Sequence, residues 1–454
     1  MLEKLRKILG KIDADYADIR HEVKKVTEIA FSGKELSQIG SNSTDGYVIR
    51  ILNNGGMSTV AFTKESDAET AIANAMESAK LISENIEKPV RLAESEPIKD
   101  TFIPKLNEDP RQIFIDEKLE LLRTYNNIAL SNDKIVTTVL KYYDVTREKH
   151  FISSEGSEIR EDLITTAITG EITGRDGDQL QTVRVRAGGS NGFATVRNQE
   201  ANLEKQTSTT VDLLKAKPVT GGTYNCILNQ GLTGVFVHEA FGHFSEADII
   251  ETLPALREKM KIGAKLGSDN VNIIDNAVLP DQLGFYKYDD DGVAVRPVQL
   301  MKEGILTGRL HSRRTAAKMD EPISGHCVAE DFRYAPIVRM GTIYMEPGPN
   351  SFDDLLAQLG DGIYVLDPVG GQTAGENFTF GAQYGFMVRN GKIAEMVRDI
   401  NVSGNLFQAL RDTVAVGNDL TLGTVGGCGK GQTNIRSCHG GPHTLVNNLV
   451  VGGV

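Results

Sequence analysis

The spacing of apolar residues changes along the chain, and these changes predict the order of helices and strands. Leu2 to Ile12 carries apolar residues at helical spacing. Residues 16–63 instead alternate as short strands, separated by turn signals such as Asn53-Asn54-Gly55-Gly56. Helical spacing returns at 64–87 and 110–132. We therefore expect a small antiparallel sheet with helices on one of its faces.

The second part of the pattern predicts a domain boundary near residue 218. Strand patterns fill residues 134–197 and a helix follows at 200–215, before Pro218 and Gly221-Gly222 interrupt both periodicities. A chain of 454 residues is long for a single core. We predict an α+β fold: an N-terminal α/β domain over 1–217, divisible into 1–105 and 106–217, and a mainly β domain over 218–454. The latter carries a helix at 231–250 and shorter helices at 351–359 and 406–410.

Composition and charge narrow the class of protein. The chain is 40% hydrophobic and 24% charged, with a net charge of −12, and its acidic residues are spread along its length. Nucleic acid is therefore not an expected partner. The first helix lacks the apolar core and cleavage site of a signal peptide, and no run approaches about 18 apolar residues. We expect a cytoplasmic protein without a membrane segment, whose four cysteines remain thiols that can bind metal.

The strongest chemical signal is the segment VHEAFGHFSEAD at 237–248, which contains His238, Glu239 and His243. On a regular helix, positions i and i+5 lie about 140° apart and cannot share one ion. We therefore predict a π-type turn between the histidines, with Gly242 lowering its steric cost. With both imidazoles on one metal ion, Glu239 can accept a proton from bound water as general base, which suits peptide hydrolysis. The alternative is a partly buried helix on which these residues meet by chance.

A catalytic zinc ion requires a third protein ligand and an open position. Glu246 is the local candidate, whereas Cys428 lies between glycines that allow close approach of the backbone. An isolated cysteine of this kind is otherwise a small buried apolar residue. The full set of candidates is Glu246, Asp248, His326, Cys327, Cys428, Cys438, His439 and His443.

Several motifs in the C-terminal half resemble the TldD side of the TldD/PmbA family of metallopeptidases. They are HEAFGH at 238–243 followed by SEAD, DDDG at 289–292, VGNDL at 416–420, CGKGQ at 428–432 and PHTLVNNLVVGG at 442–453. The resemblance implies that His238, His243 and Cys428 bind one zinc ion per chain and that Glu239 is the catalytic base. It thereby favours Cys428 among the third-ligand candidates.

The resemblance also implies a partner and a substrate class. PmbA-type relatives lack the HExxxH element, so the intact motif is typical of the catalytic subunit. A heterodimer with a PmbA/TldE-like subunit, or a homodimer in its place, is expected to enclose a cavity for small or unfolded peptides, held as an added strand. Two alternatives stay open: a peptide-binding or regulatory subunit whose structural metal has four ligands, and a hydrolase of non-peptide amides.

Three further features have less specific interpretations. After CGKGQ the chain reads TNIRSCHGGPH, where the family commonly has a glycine- and proline-rich tract, so Cys438, His439 and His443 are unexpected. They line the channel, offer an alternative ligand or form turn hydrogen bonds. The acidic run Asp289-Asp290-Asp291 is interpreted as a turn with solvated carboxylates. Residues 370–375 are interpreted as a turn near the substrate channel, since a phosphate loop would need a lysine.

Overall fold

The computed structural model describes residues 1–424 and 426–452 and has the α+β fold that the sequence predicts. The helices and strands of the first half, in chain order, are α1 Leu2–Leu9, β1 Tyr16–Ser32, β2 Glu35–Asn53, β3 Gly56–Phe62, α2 Ala68–Asn85, β4 Lys99–Phe102, α3 Ile115–Leu130, β5 Ile135–Ser153, β6 Glu158–Asp176, β7 Gln179–Gly189 and α4 Glu200–Leu213.

These seven strands form one sheet in the order β3-β2-β1-β5-β6-β4, and β7 also pairs with β6. Neighbours are antiparallel, except that β4 runs parallel to β6. Alternate residues of the long strands are apolar on one face, which helices cover: Ile19 and Ile49 share a core cluster with Ala75 of α2, and Tyr142 shares one with Leu122 of α3. The expected helix-covered antiparallel sheet is confirmed.

The other face of this sheet is charged and buried against the C-terminal half. Arg20 on β1 and Lys149 on β5 reach Asp290 at 2.9 and 3.1 Å, and Arg50 on β2 reaches Asp291 at 2.6 Å. Burial opposes ionisation of Asp290, but Arg20 and Lys149 outweigh it and hold its pKa well below the usual range. The expectation of solvated carboxylates at 289–291 is therefore wrong, because all three are buried and Asp290 and Asp291 join the two halves through ion pairs.

The second half begins with β8 Lys217–Pro218 and β9 Gly222–Leu228, which lead into the helical segment of the predicted metal site. The remaining elements are α5 Gln230–Val237, a π turn over His238–Gly242, α6 His243–Ser245, α7 Ala247–Ile250, α8 Pro254–Lys259, β10 Ile273–Asp275, β11 Val298–Lys302, β12 Ile305–Leu306, α9 Arg313–Met319, β13 Cys327–Val328, β14 Ile337–Val338, β15 Thr342–Met345, α10 Phe352–Leu359, β16 Gly362–Ala374, β17 Asn377–Arg389, β18 Lys392–Arg398, β19 Ile400–Asn405, α11 Leu406–Arg411, β20 Thr413–Val416, β21 Thr421–Leu422, β22 Cys438–Gly441 and β23 Thr444–Gly452.

Helix α5 lies between two sheets of this half. Strands β16, β9, β23, β19 and β17 are paired in that order, and β16 also pairs with β17, which closes them into a small barrel. The second sheet has the order β12-β11-β10-β15-β22-β21. The helix contacts β16 on one side and β15 and β22 on the other, and its residues from Leu232 to Val237 are buried. The position of its C-terminal end is therefore fixed by packing on both sides.

Candidate metal centre

Helix α5 is fixed at its start by a side-chain cap. The Asn229 side chain accepts a hydrogen bond of 3.0 Å from the N–H of Leu232, which satisfies one of the free N–H groups at the helix start. Gly234 allows close packing on β22, because a Cβ there would lie 2.8 Å from backbone atoms of Gly440. The helix therefore delivers His238 to a defined position between the two sheets.

The helix widens between the two histidines, as their spacing predicts. The N–H of His243 donates to the carbonyl of His238, five residues earlier, which is the hydrogen bond of a π turn. The two imidazole rings consequently lie close together, with centroids 5.1 Å apart and planes at 87°. The prediction of a π-type turn at 238–243 is confirmed.

Gly242 has a different role from the one predicted. Its φ of −55° and ψ of −47° are ordinary helical values, so the turn does not use the conformational freedom of glycine. A Cβ at this position would instead overlap Sδ of Met340 and lie 3.1 Å from Cδ1 of Ile343. Glycine is needed here because the helix packs closely against these two side chains.

Cys428 completes a cluster of three donor atoms with the histidines. Its Sγ lies 3.0 Å from Nε2 of His238 and 3.5 Å from Nε2 of His243, and all three atoms lie within 4.8 Å of one another. In a tetrahedral zinc site, neighbouring nitrogen and sulfur ligands are about 3.3–3.6 Å apart. The distance from Cys428 Sγ to His243 Nε2 falls in this range and the distance to His238 Nε2 is shorter, so small side-chain adjustments would place all three atoms on one zinc-sized ion. Among residues 1–424 and 426–452, no other three histidine, cysteine or acidic side chains form such a group.

The loop that carries Cys428 is narrow. Cys428 and Ile435 exchange two backbone hydrogen bonds of 3.0 Å, which brings the loop back on itself. The flanking glycines permit this fold, because a Cβ at Gly427 would overlap the side chain of Asn434. The backbone therefore approaches closely at the glycines beside Cys428, as the sequence indicates.

Glu246, the local candidate for the third ligand, faces the other nitrogen of His243. Its Oε2 lies 3.5 Å from His243 Nδ1, while its carboxylate also reaches Arg339 at 3.2 Å and Lys430 at 3.0 Å. Burial disfavours its charge, but Arg339, His243 and Lys430 outweigh burial and lower the pKa of Glu246. Its position allows it to orient the His243 ring through Nδ1.

Cys428 and Glu246, which contact the two ring nitrogens of His243, both raise the pKa of this ring. Burial lowers the pKa of the His243 ring, but hydrogen bonds to Cys428 and Glu246 outweigh it and raise that pKa to about 10. The thiol and the carboxylate on either side of His243 therefore stabilise a positive charge on this ring.

The other third-ligand candidates have different partners. His443 lies between Asp419 at 2.6 Å and the Tyr364 hydroxyl at 2.8 Å. Cys438 donates to the carbonyl of Gly423 at 3.0 Å, and burial raises its pKa to about 12. His326 contacts Asp275, Asp248 contacts Lys430, and Cys327 is a buried thiol. These side chains do not converge on His238 and His243.

His439 is the exception, because its ring lies beside the cluster. Its centroid is 5.4 Å from that of His238. Burial and the nearby charge of Arg186 lower the pKa of His439 to about 4, so the ring is neutral at pH 7. This side chain lines the cleft described next.

Glu239 follows the first histidine and is held by β16. The Thr373 hydroxyl lies 2.6 Å from the Glu239 carbonyl oxygen and 3.1 Å from its Oε2, and can donate its proton to either. A Cβ at Gly371 would lie 2.9 Å from Cγ of Glu239, so a larger residue there would displace the Glu239 side chain. Oε2 of Glu239 also lies 3.7 Å from Nε2 of His243. Residues 370–374 are thus part of a strand beside the site, and the expected turn begins only at Gly375.

A cleft of about 610 Å³ opens beside the cluster. One wall carries His238, Glu239, Cys428 and His439, and the other is formed by β5, β6 and β7 of the N-terminal half. The sequence does not predict this second wall, because no pattern indicates which face of the N-terminal sheet lies opposite the helical segment with His238 and Glu239. The site is therefore an open cleft between the two halves of the chain.

The family of the chain follows from models of three consecutive domains. Residues 17–83, 108–217 and 221–453 match the PmbA/TldA metallopeptidase domain 1, central domain and C-terminal domain, respectively. The chain therefore belongs to the PmbA/TldD family of metallopeptidases, as its motifs indicate. None of the helices in the described part of the chain is both long and apolar enough to cross a bilayer.

Curated relatives match over nearly the whole length. A metalloprotease of Synechocystis sp. is 34% identical over 99% of this chain and 97% of its own. One of Methanothermobacter thermautotrophicus is 34% identical over 97% and 96%. A zinc metalloprotease TldD homolog of Saccharolobus solfataricus is 28% identical over 98% of both chains.

Solved structures share the fold at lower identity. TldE from Thermococcus kodakarensis matches with a TM-score of 0.80 and 19% identity over 99% of both chains. A putative modulator of a DNA gyrase from Thermotoga maritima matches with a TM-score of 0.81 and 20% identity over 99% of both chains.

Proposed function

We propose that this chain is a metal-dependent peptidase of the TldD type, in which His238, His243 and Cys428 hold one zinc ion and Glu239 acts as general base. The observation that carries the proposal is the convergence of the three donor atoms within 4.8 Å, beside a carboxylate and an open cleft. The zinc metalloprotease relative and the His2Cys donor set both support zinc.

The residues around the cluster have distinct tasks in this proposal. A bound zinc ion supplies Lewis acidity, which lowers the pKa of water and polarises a scissile carbonyl. Glu239 takes a proton from the attacking water and returns it to the leaving amine. Thr373 restricts the Glu239 carboxylate through its contact at Oε2. Glu246 holds the His243 ring by its Nδ1, so that Nε2 points to the cluster.

A peptide substrate has an open strand edge available to it. Strand β16 pairs with β17 along its whole length, but it pairs with β9 only at 363–365. Among the described residues, 370–374 therefore have no strand on their second edge. An extended peptide that added to this edge would lie beside Glu239. Such a mode favours small or unfolded peptides and excludes folded domains, whose backbone is already paired.

An open coordination position distinguishes the peptidase from a binding subunit with a structural metal. A closed site needs a fourth protein ligand. Cys438 and His443, the two side chains that would serve, are hydrogen-bonded to Gly423 and to Asp419 instead. The side of the cluster that faces the cleft is thus left for water and substrate.

A partner subunit is part of the proposal. The likeness of the fold to TldE supports a heterodimer of this chain with a TldE-like subunit. Sedimentation of the chain alone and after co-expression with such a subunit tests it. A mixed dimer supports the proposal, and a chain that self-associates and excludes the second subunit contradicts it.

The proposed activity is tested with unfolded peptides and three samples: the zinc-loaded chain, the chelated chain and Glu239→Gln. We expect one zinc ion in both the wild type and Glu239→Gln, and cleavage lower by about 10²–10⁴-fold in the variant. Glu251→Gln, which removes a carboxylate outside the cleft, is the matched control. Cleavage that persists in the chelated chain or in Glu239→Gln contradicts the proposal.

A further inference from the structure

The cleft wall opposite the metal cluster carries basic side chains in cross-strand rows. Strand pairing places Lys141 of β5, Thr169 of β6 and Arg186 of β7 side by side. Residues directly opposite one another in antiparallel strands project from the same face. Since Val183 and Val185 on β7 are buried on the helix-covered face, Arg186 projects into the cleft.

Two of the three cations in this wall already have a carboxylate partner. Lys141 lies 2.5 Å from Glu28, and Arg184 lies 3.4 Å from Glu171 and also donates to the carbonyl of Val369. Arg186 is different. Its guanidinium is exposed to the cleft, and within residues 1–424 and 426–452 it has no hydrogen bond and no carboxylate within 4.0 Å.

The strand register explains why Arg186 lacks a carboxylate partner. Its neighbour across the strands is Thr169, whereas the neighbour of Arg184 is Glu171. Partial burial in the cleft and the charge of Arg184 lower the pKa of Arg186, and Asp367 offsets this only in part. A cation held in this way gains free energy when an anion enters the cleft.

Arg186 lines the same cleft as the proposed site of cleavage. The opposite wall contains His238, Glu239, Cys428 and His439. The charge of Arg186 is felt at His439, whose ring packs against that of His238. An anion bound to Arg186 therefore lies in the same cleft as the cluster.

We propose that Arg186 binds a carboxylate group of the peptide substrate, so that the protein selects peptides carrying a carboxylate at a fixed distance from the scissile bond. A guanidinium can donate two parallel hydrogen bonds to one carboxylate, which gives both free energy and orientation. The carboxylate comes from an aspartate or glutamate side chain or from the C-terminus of a short peptide. This proposal rests on the proposed peptidase function.

The first experiment compares cleavage of paired peptides by the zinc-loaded protein. One pair exchanges Glu for Gln at successive positions in a peptide with blocked termini, and the other exchanges a free C-terminal carboxylate for an amide. We expect kcat/KM to be about tenfold or more higher for the carboxylate member of at least one pair, the gain expected from a hydrogen bond to a charged group. The pair that responds identifies the source of the carboxylate.

The variant Arg186→Gln should reduce that preference to less than about twofold, and Arg186→Lys should keep part of it because it retains the charge without the paired donors. Arg175→Gln is the matched control, since Arg175 is an exposed arginine on β6 of the same sheet that donates to the carbonyl of Gly177. It should keep the full preference. An equal preference in Arg186→Gln and wild type overturns the proposal.

A second measurement separates this proposal from the proposed function. Binding of the same fluorescent peptides is measured by anisotropy with Glu239→Gln as background, with and without Arg186→Gln. Tighter binding of the carboxylate member, lost in Arg186→Gln, supports the proposal even if no peptide is cleaved. Failure to bind, or binding without a carboxylate preference, overturns it. A lack of cleavage alone counts only against the peptidase function.

Discussion

The thiol of Cys428 lies 3.0 Å from Nε2 of His238, although 190 positions of sequence separate the two residues. The histidine ends a buried helix, whereas the cysteine is on a loop that returns to the helix through its bridge to Ile435. The contact therefore joins two parts of the C-terminal half that are distant in sequence.

Cys428→Ser is expected to remove one metal ligand and leave the fold intact. Zinc affinity should fall by more than about 100-fold, beyond the effect typical of losing an outer partner of a ligand. Metal content after dialysis against a competing chelator measures this. Cys438→Ser is the control, because that thiol bonds to a backbone carbonyl away from the cluster. Zinc loss in Cys438→Ser with retention in Cys428→Ser would show that Cys438, and not Cys428, is the third ligand.

Glu246→Gln should weaken both metal binding and folding, for separate reasons. The amide can no longer attract the His243 ring as an anion does, so zinc affinity should fall by about 10–100-fold. Arg339 and Lys430 lose a buried partner, which costs about 3–5 kcal/mol in the free energy of unfolding. Chelator competition and urea unfolding measure the two effects. Glu251→Gln, which loses ion pairs to Arg314 and Lys318, should leave zinc affinity unchanged.

Gly242→Ala is expected to lower the free energy of unfolding by about 1–3 kcal/mol through overpacking against Met340. Helix propensity alone predicts the opposite sign, since alanine gains about 1 kcal/mol over glycine at helical φ and ψ. A double-mutant cycle with Met340→Ala separates the causes: the cost of Gly242→Ala should disappear once Met340 is truncated. The same cost in both backgrounds would rule out the packing role.

Asp290→Asn should cost about 3–5 kcal/mol in the free energy of unfolding at pH 7, because Arg20 and Lys149 are left buried without their anion. The pKa of Asp290 is lower in the folded chain than its usual 3.8, so its charge stabilises the fold above that pH. The difference in the free energy of unfolding between wild type and variant should therefore be constant from about pH 5 to 8, where Asp290 is ionised in both the folded and the unfolded chain. It should shrink as the pH falls below about 4, where the unfolded chain begins to take up the proton first.

Urea unfolding of both proteins across this pH range provides the measurement. Asp133→Asn, an exposed aspartate, is the control and should change stability by less than about 0.5 kcal/mol. A difference that grows as the pH falls would contradict the proposed direction of the Asp290 pKa.

Local patterns predicted the local features of the site. The spacing of His238 and His243 determines a π turn, because helical geometry leaves no other way for both rings to meet. The helices near 64–87 and 110–132 follow from apolar periodicity, and the strand character of 16–63 follows from alternation and turn signals. The strands of 16–63 are not short as predicted, since β1 and β2 have 17 and 19 residues. The choice of Cys428 over Glu246 depends on family resemblance, since nothing in the residues themselves excludes the nearer carboxylate.

Contacts between residues that are far apart in the sequence cannot be predicted from apolar periodicity or local motifs. Asp290 was expected in water, because its cationic partners Arg20 and Lys149 lie far away in sequence and only the packing of the two halves brings them together. The sequence favours a conformational role for Gly242 in the π turn, because only the tertiary structure shows that this glycine packs against Met340. The cleft wall that contains Arg186 depends on the pairing of β5, β6 and β7, and the sequence of a strand does not indicate with which strands it pairs.

The buried ion pairs between β1, β2, β5 and residues 290–291 have a consequence for related chains. One wall of the cleft belongs to the N-terminal sheet, and the ion pairs of Arg20 and Arg50 with their aspartates are among the contacts that fix its position relative to Glu239. Segments 1–217 of two relatives should thus be interchangeable only when the incoming sheet presents matching cations. A chimera without them is expected to bind zinc normally and yet misplace every peptide it admits.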